Sequence, residues 1–214
     1  TDSSTVARHV IYDRNGVVNT RAKRKVGDSS IVLDGSNDYL ETPDSSDFSF
    51  VDDFTIECWI NTPDASIASA RFLSKDRAGN RQFDFQLTSG QLSFYMNDVD
   101  DNVFGRQSSI LDPLSENTWY HVAMVYDKSA GTLKMFVDGV EDTGAATVGS
   151  DVVYNITNTT AWFEIGRGYG GGYYYEGYLD EIRISDSARY TGNFTPQTTE
   201  FTADSNTMFL LHSN

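Results

Sequence analysis

Cysteine, proline and histidine are scarce in this chain, with one, four and three among 214 residues. The single cysteine, Cys58, excludes an internal disulfide, and its place in TIECWI (55–60) reads as a small buried hydrophobe. With so few histidines and cysteines, a zinc site is not expected. No run approaches the roughly 18 consecutive apolar residues of a membrane helix, so membrane insertion is not expected either. Positive charge is also thin: 16 Lys and Arg stand against 31 Asp and Glu, a net charge of −15. It is uneven as well. Residues 1–27 carry six basic residues against two Asp, whereas the remainder carries ten against 29 acids. Such an acidic body repels DNA, so nucleic acid is excluded as a partner. The run Arg21, Lys23, Arg24 and Lys25 reads as a solvated strand face lying against that body. The sequence opens Thr-Asp-Ser-Ser-Thr, with neither Met nor a leader pattern, and the expectation is a fragment or a processed product.

Helical periodicity is missing too. No window keeps an apolar repeat for three turns, and SDSARY (185–190) makes a single turn at most. What is present is strand pattern. SIVLD (30–34) and DYLET (38–42) flank a Gly-Ser-Asn turn, and DFTIECWIN (53–61) alternates, with Ile56, Cys58 and Ile60 on one face and Thr55, Glu57 and Trp59 on the other. RQFDFQLT (81–88) and QLSFYMN (91–97) meet at Ser89-Gly90, a tight hairpin signal. TWYHVAMVYD (118–127) and TLKMFVDG (132–139) form another hairpin; AWFEIG (161–166), YLDEIRIS (178–185) and TMFLLH (207–212) complete the set. Many short strands without a linker predict one all-β domain over residues 1–214, an antiparallel two-sheet sandwich of the jelly-roll kind. Residues 1–27 form its basic N-terminal strand segment, and 191–214 a C-terminal segment with a closing strand.

The stretch GRGYGG (166–171) satisfies the glycine fingerprint of a dinucleotide site. That fingerprint works only where the turn opens a helix whose N-terminus holds pyrophosphate, and here YYYEGYLDEIRI, a strand pattern, follows. The match is a coincidence of a glycine-rich loop.

Five segments in order, SIVLDGSNDYLE, FTIECWI, WYHVAMVYD, LKMFVDG and GYLDEIRIS, resemble the LamG-like jelly-roll domains of the concanavalin A-like lectin/glucanase superfamily, over about residues 27–190. The tail from SDSARY to FLLH is similar to the variant found in bacteriophage tail-fibre and other virion surface proteins. This resemblance implies a binding role at a virion surface or in an extracellular setting. It names no ligand, because one fold hosts many functions.

Catalysis finds no support. The resemblance to laminarinase-like members would require Glu-x-Asp-x-x-Glu on one strand, and none of the eight glutamates has Asp two places on. Asp180 and Glu181 should point to opposite faces of a strand, and Glu181 and Arg183 should share a face as a surface ion pair. His121 alternates with Trp119, Ala123 and Val125 and reads as a packed histidine. The acidic loop Asn97–Asn102 reads as a solvated turn. Ca²⁺ is the cofactor the pattern admits: Asp34, Ser36, Asn37 and Asp38 can offer oxygens from one turn. The resemblance adds Asp180 as a nearby acid, while the plainer reading makes these ordinary turn residues. For ligand contact the candidates are Arg167, Tyr169, Tyr173 and Tyr174, on a Gly170-Gly171-Gly172 base, with Tyr175 assigned to the core. Rings and polar groups on such a loop suit a sugar or a protein surface. The expected partners are a cell-surface glycan or other virion proteins, including further copies of the chain. The alternatives are a purely structural virion module and a carbohydrate-binding module of a larger secreted hydrolase.

Overall fold

The computed structural model describes residues 9–77, 80–108, 114–148, 156–168 and 172–213. Strands β1 (Tyr12–Arg14), β2 (Val18–Thr20), β3 (Ser30–Asp34) and β4 (Tyr39–Thr42) precede a single turn of 3₁₀ helix, Ser46–Phe48. Four long strands follow: β5 (Phe54–Asn61), β6 (Ala70–Arg77), β7 (Asn80–Thr88) and β8 (Gln91–Asn97). Next come β9 (Val103–Gln107), β10 (Tyr120–Asp127), β11 (Thr132–Val137) and β12 (Val140–Glu141). The chain finishes with β13 (Ala146–Val148), β14 (Phe163–Ile165), β15 (Glu176–Ser185) and β16 (Thr207–Leu211). They form two sheets: β1-β4-β14-β6-β7-β8-β9-β13, and β12-β11-β10-β5-β15-β3-β2 with β16 also on β15. Every pairing is antiparallel, as the alternating patterns predict. The hairpin at Ser89-Gly90 has positive φ at both residues (49° and 81°), the type I′ geometry whose twist matches its strands. SDSARY makes no helical turn; it continues from the end of β15 into bends.

Between the sheets lies one apolar core in which aromatic rings interlock. Phe48, Phe163 and Phe209 meet there, as do Phe54, Phe83 and Phe94, and Tyr175 packs edge-on against Phe72 at 5.9 Å. Cys58 is fully buried, and burial pushes its thiol well up, which makes it inert. The closing strand comes from the chain's own C-terminus: Ile182, Arg183 and Ile184 of β15 pair with Leu211, Leu210 and Phe209.

The second sheet departs from the alternation in one place. Between Asp180 and Arg183 the register against Trp59 and Glu57 slips by one, and Glu181 sits at φ +50°. This β-bulge sends Leu179 and Ile182 into the core, three residues apart instead of two. Asp180 and Glu181 therefore both turn outward, against the expectation of opposite faces. Nor do Glu181 and Arg183 pair. Glu181 accepts hydrogen bonds from Phe201 N and from His212 Nδ1 at 2.6 Å, while Arg183 is buried against Glu57, with Nε at 2.8 Å from Oε1.

Segments outside the strands cover that outer face. Tyr190 and Phe194 stack at 3.5 Å over Phe136, and Phe201 lies against His121 and the Arg183 guanidinium. Gly139 allows this approach: its φ is +76°, and a Cβ there would sit 2.0 Å from Phe194 O. On the other side Arg21–Lys25 runs as bends rather than a strand; Lys25 Nζ lies 4.1 Å from the centre of the Trp59 ring. Beneath the cover, Glu57 accepts from His121 Nε2 (3.0 Å), Tyr190 OH (2.8 Å) and Arg183. Burial pushes its carboxyl up, but the His121 hydrogen bond and the Arg183 charge more than offset this and leave it below the usual carboxylate range.

Candidate functional site

The outer face of the first sheet is polar; Arg167 and Tyr173 lie against β6 there, and Ser74, Asp84 and Ser93 are buried. Antiparallel register aligns Tyr12, Glu41, Glu164, Ser74, Asp84 and Tyr95 in one row across β1, β4, β14, β6, β7 and β8. Strand periodicity then puts Arg14, Tyr39 and Trp162 on the same face, two residues from Tyr12, Glu41 and Glu164. At this end of the row lies a cleft of about 460 Å³, lined by Arg14, Tyr39, Glu41, Arg77, Trp162, Glu164 and Arg167. Its volume falls within the range of small-ligand sites.

Rings and guanidinium groups alternate along its walls. Tyr12 and Trp162 approach at 5.7 Å, and Arg14 lies 5.3 Å from the Tyr12 ring centre. Arg14 Nε and Nη2 each reach Glu41 Oε1 at 2.7 Å. The Arg167 guanidinium stacks 3.7 Å above the centre of Tyr39 and pairs with Glu164. Burial raises the Glu164 carboxyl above its usual range despite the Arg167 charge. Arg77, at the end of β6, is exposed, and its guanidinium makes no hydrogen bond or ion pair with a described residue.

Further along the face, Asp84 is buried between Arg71 Nε (3.1 Å) and Arg81 Nε (2.8 Å). Burial outweighs both guanidiniums, and its carboxyl is pushed up to about 6. Ser93 Oγ and Arg71 Nη1 are buried here without a hydrogen-bond partner among the described residues.

The tyrosine loop divides. Arg167 lines the cleft, with its carbonyl accepting from Ser74 Oγ at 2.8 Å. Tyr174 faces Tyr39 at 6.4 Å. Tyr173 is 39% exposed and lies 4.2 Å from the Arg71 guanidinium, over β6. Tyr169 lies outside the described residues. Tyr175 is fully buried, as a core residue should be. Among the described residues after Gly166, 167–168 and 172–175 form no helix and β15 follows, so none of them offers the helix N-terminus that a pyrophosphate would need.

The calcium residues do not converge. Asp34 pairs with Glu176, and Asp180 lies four residues further along β15, roughly 13 Å away at strand rise. Both Asp180 oxygens are engaged, Oδ2 by Lys25 N and Val26 N and Oδ1 by Ser213 Oγ. Asp34 Oδ1 accepts from the backbone N–H groups of Ser36, Asn37 and Asp38, the bonding of an Asx turn. Without Asp180, the turn does not supply the six to eight oxygens that Ca²⁺ takes, and the residues do not fit the ion. Among the described residues no group of three or more His, Cys, Asp or Glu could hold a metal.

Sequence reasoning missed Arg14, Tyr39, Glu41, Arg77, Trp162 and Glu164. A signal for all but Arg77 was present: Tyr12-x-Arg14, Tyr39-x-Glu41 and Trp162-x-Glu164 each place a ring and a charge on one strand face. Which strands are neighbours is what the sequence does not show.

The two antiparallel sheets form a β-sandwich of the jelly-roll kind. Residues 34–191 match the model of the Laminin_G_3 family, of the concanavalin A-like lectin/glucanases superfamily, and the chain belongs to that family. No curated protein matches by sequence. Among solved structures, the binding domain of Paraclostridial Mosquitocidal Protein 1 superposes with a TM-score of 0.69 at 16% identity, over 85% of this chain and 45% of that one. The receptor binding domain of botulinum neurotoxin D gives 0.63 at 12%, over 85% and 45%. Domain 4 of an extracellular GH43 arabinanase from Geobacillus stearothermophilus, in complex with arabinotriose, gives 0.58 at 19%, over 88% and 84%. The chain thus spans less than half of the toxin domains it matches and most of the arabinanase domain. At these identities the likeness establishes fold alone. Among the described residues, no helix is long and apolar enough to cross a membrane.

Proposed function

We propose that the chain is a non-catalytic glycan-binding module whose site is the cleft between β1, β4, β14 and the end of β6. The observation that carries this reading is the convergence of Tyr39 and Trp162 with Arg14, Glu41, Glu164, Arg77 and Arg167 around one cavity. A sugar ring offers C–H faces that pack on aromatic rings and hydroxyls that exchange hydrogen bonds with carboxylates and guanidiniums. Such a site needs a few placed polar groups on an apolar floor. The carbohydrate complex of the arabinanase domain supports the reading. Catalysis is not proposed, since Glu41 and Glu164 are each held by an arginine rather than poised as an acid and base pair. The setting we propose, a fibre or decoration on a phage virion, rests on the resemblance of the C-terminal segment. Repeated display there would raise a weak single-site affinity.

The test is a glycan-array screen of the wild-type chain beside the Tyr39→Ala/Trp162→Ala double variant. Binding by the wild type that falls at least tenfold in the variant, with both proteins folded by circular dichroism, is the expected result. Equal binding by the two would remove the cleft from the site. Silence of the wild type would favour a structural module.

A further inference from the structure

The charge inside the cleft runs against the charge of the chain. The protein carries −15, yet the cleft walls hold three arginines against two glutamates. The pairing leaves a remainder. Glu41 takes Arg14 and Glu164 takes Arg167, both at ion-pair distance. Arg77 has no such partner among the described residues, and its charge reaches Glu164 only through space. A guanidinium is always charged and presents a planar fork of donors that matches a carboxylate with two parallel hydrogen bonds. On an acidic protein one spare arginine beside two aromatic rings is poorly explained as a general solubility charge, because every other basic group in the cleft is neutralised locally.

Resting on the reading of this cleft as a glycan site, we infer that its ligand is an acidic saccharide, with a uronate-type carboxylate seated on Arg77. The rings of Tyr39 and Trp162 take the sugar's C–H faces, while Arg14 and Arg167, already paired, supply hydrogen bonds rather than net charge. A sulfate ester presents the same negative oxygens without the planar match, so carboxylate is the favoured source. The surrounding −15 charge disfavours anions elsewhere on the surface, which makes the preference local and dependent on one residue.

The experiment is an array carrying neutral, uronate-containing and sulfated oligosaccharides, probed with the wild-type chain and with Arg77→Gln. Arg77 is exposed, so the variant should melt with the wild type, and thermal melting serves as the folding control. Expected are wild-type signals at least tenfold stronger on uronate oligomers than on their methyl esters, a preference that R77Q abolishes. A preference for sulfated over carboxylated oligomers would overturn the carboxylate assignment. Binding to neutral sugars with no acidic preference, or an acidic preference that survives R77Q, would overturn the inference and leave the glycan site standing. No binding to any arm would overturn both.

Discussion

The two outer faces of this sandwich carry similar side chains and put them to different ends. On the second sheet, Glu57, His121, Arg183 and Tyr190 form a closed network beneath Phe194 and Phe201, and little of it reaches solvent. On the first, Glu41, Glu164, Arg14 and Arg167 form pairs that open on a cleft, with Arg77 left over. The difference lies in what covers them. Residues 186–206 form no strand and lie across the second sheet. A covered ion network has to be complete, because an unpaired buried charge is costly. An open one can hold groups in reserve for a ligand.

The comparison breaks most sharply at Glu57. Replacing it with Ala strands Arg183 under the tail and should cost about 3–5 kcal/mol, read as a lowered urea midpoint. Truncating Glu41 on the open face should cost far less.

Asp84 gives a pH signature to the first sheet. Its carboxyl titrates at about 6 in the fold and near 3.8 when unfolded. Between those values the folded state binds more protons, so stability should fall as pH rises from about 4 to 6, by up to about 3 kcal/mol. Urea midpoints across that range should show the slope, and Asp84→Asn should flatten it. An unchanged slope in the variant would place the titration elsewhere.

Gly139→Ala tests the cover itself. Its positive φ and the nearby Phe194 carbonyl make any Cβ strained, and a loss of about 1–3 kcal/mol is expected. Faster amide exchange should appear at Phe194, whose N–H bonds Gly139 O at 2.8 Å. Glycan binding on the opposite face should not change.

The smallest effect belongs to His212. The hydrogen bond to Glu181 raises its imidazole above 6.5. The stabilisation is therefore present in full below pH 6.5 and is lost as pH rises through the higher folded value. His212→Gln should remove that dependence, at a cost below about 1 kcal/mol.

Strand patterns were legible where alternation and turn residues coincide. SIVLD is β3 residue for residue, and the Ser89-Gly90 hairpin lies where its dipeptide puts it. ARFLSKDR was not legible as β6, because Arg71 and Lys75 interrupt its apolar pattern. Lys75 is buried by non-local partners, Gln82 Oε1 at 2.7 Å and Asp44 Oδ1 at 2.9 Å. The bulge at Glu181 was hidden because a one-residue slip leaves no mark on composition, yet it decides where Glu181 points. The loop candidates led to the edge of the cleft through Arg167 and Tyr174. The cleft's floor depends on β1, β4 and β14 being neighbours, and long-range pairing of that kind has no local signature.

The most direct measurement is hydrogen exchange by mass spectrometry, with and without the strongest oligosaccharide from the array. Protection confined to residues 12–14, 39–42, 74–77 and 162–168, with peptides spanning 190–201 unchanged, is the result predicted for recognition by the open face. Protection over 190–201 with none at β4 and β14 would contradict it and move recognition to the face that the chain covers.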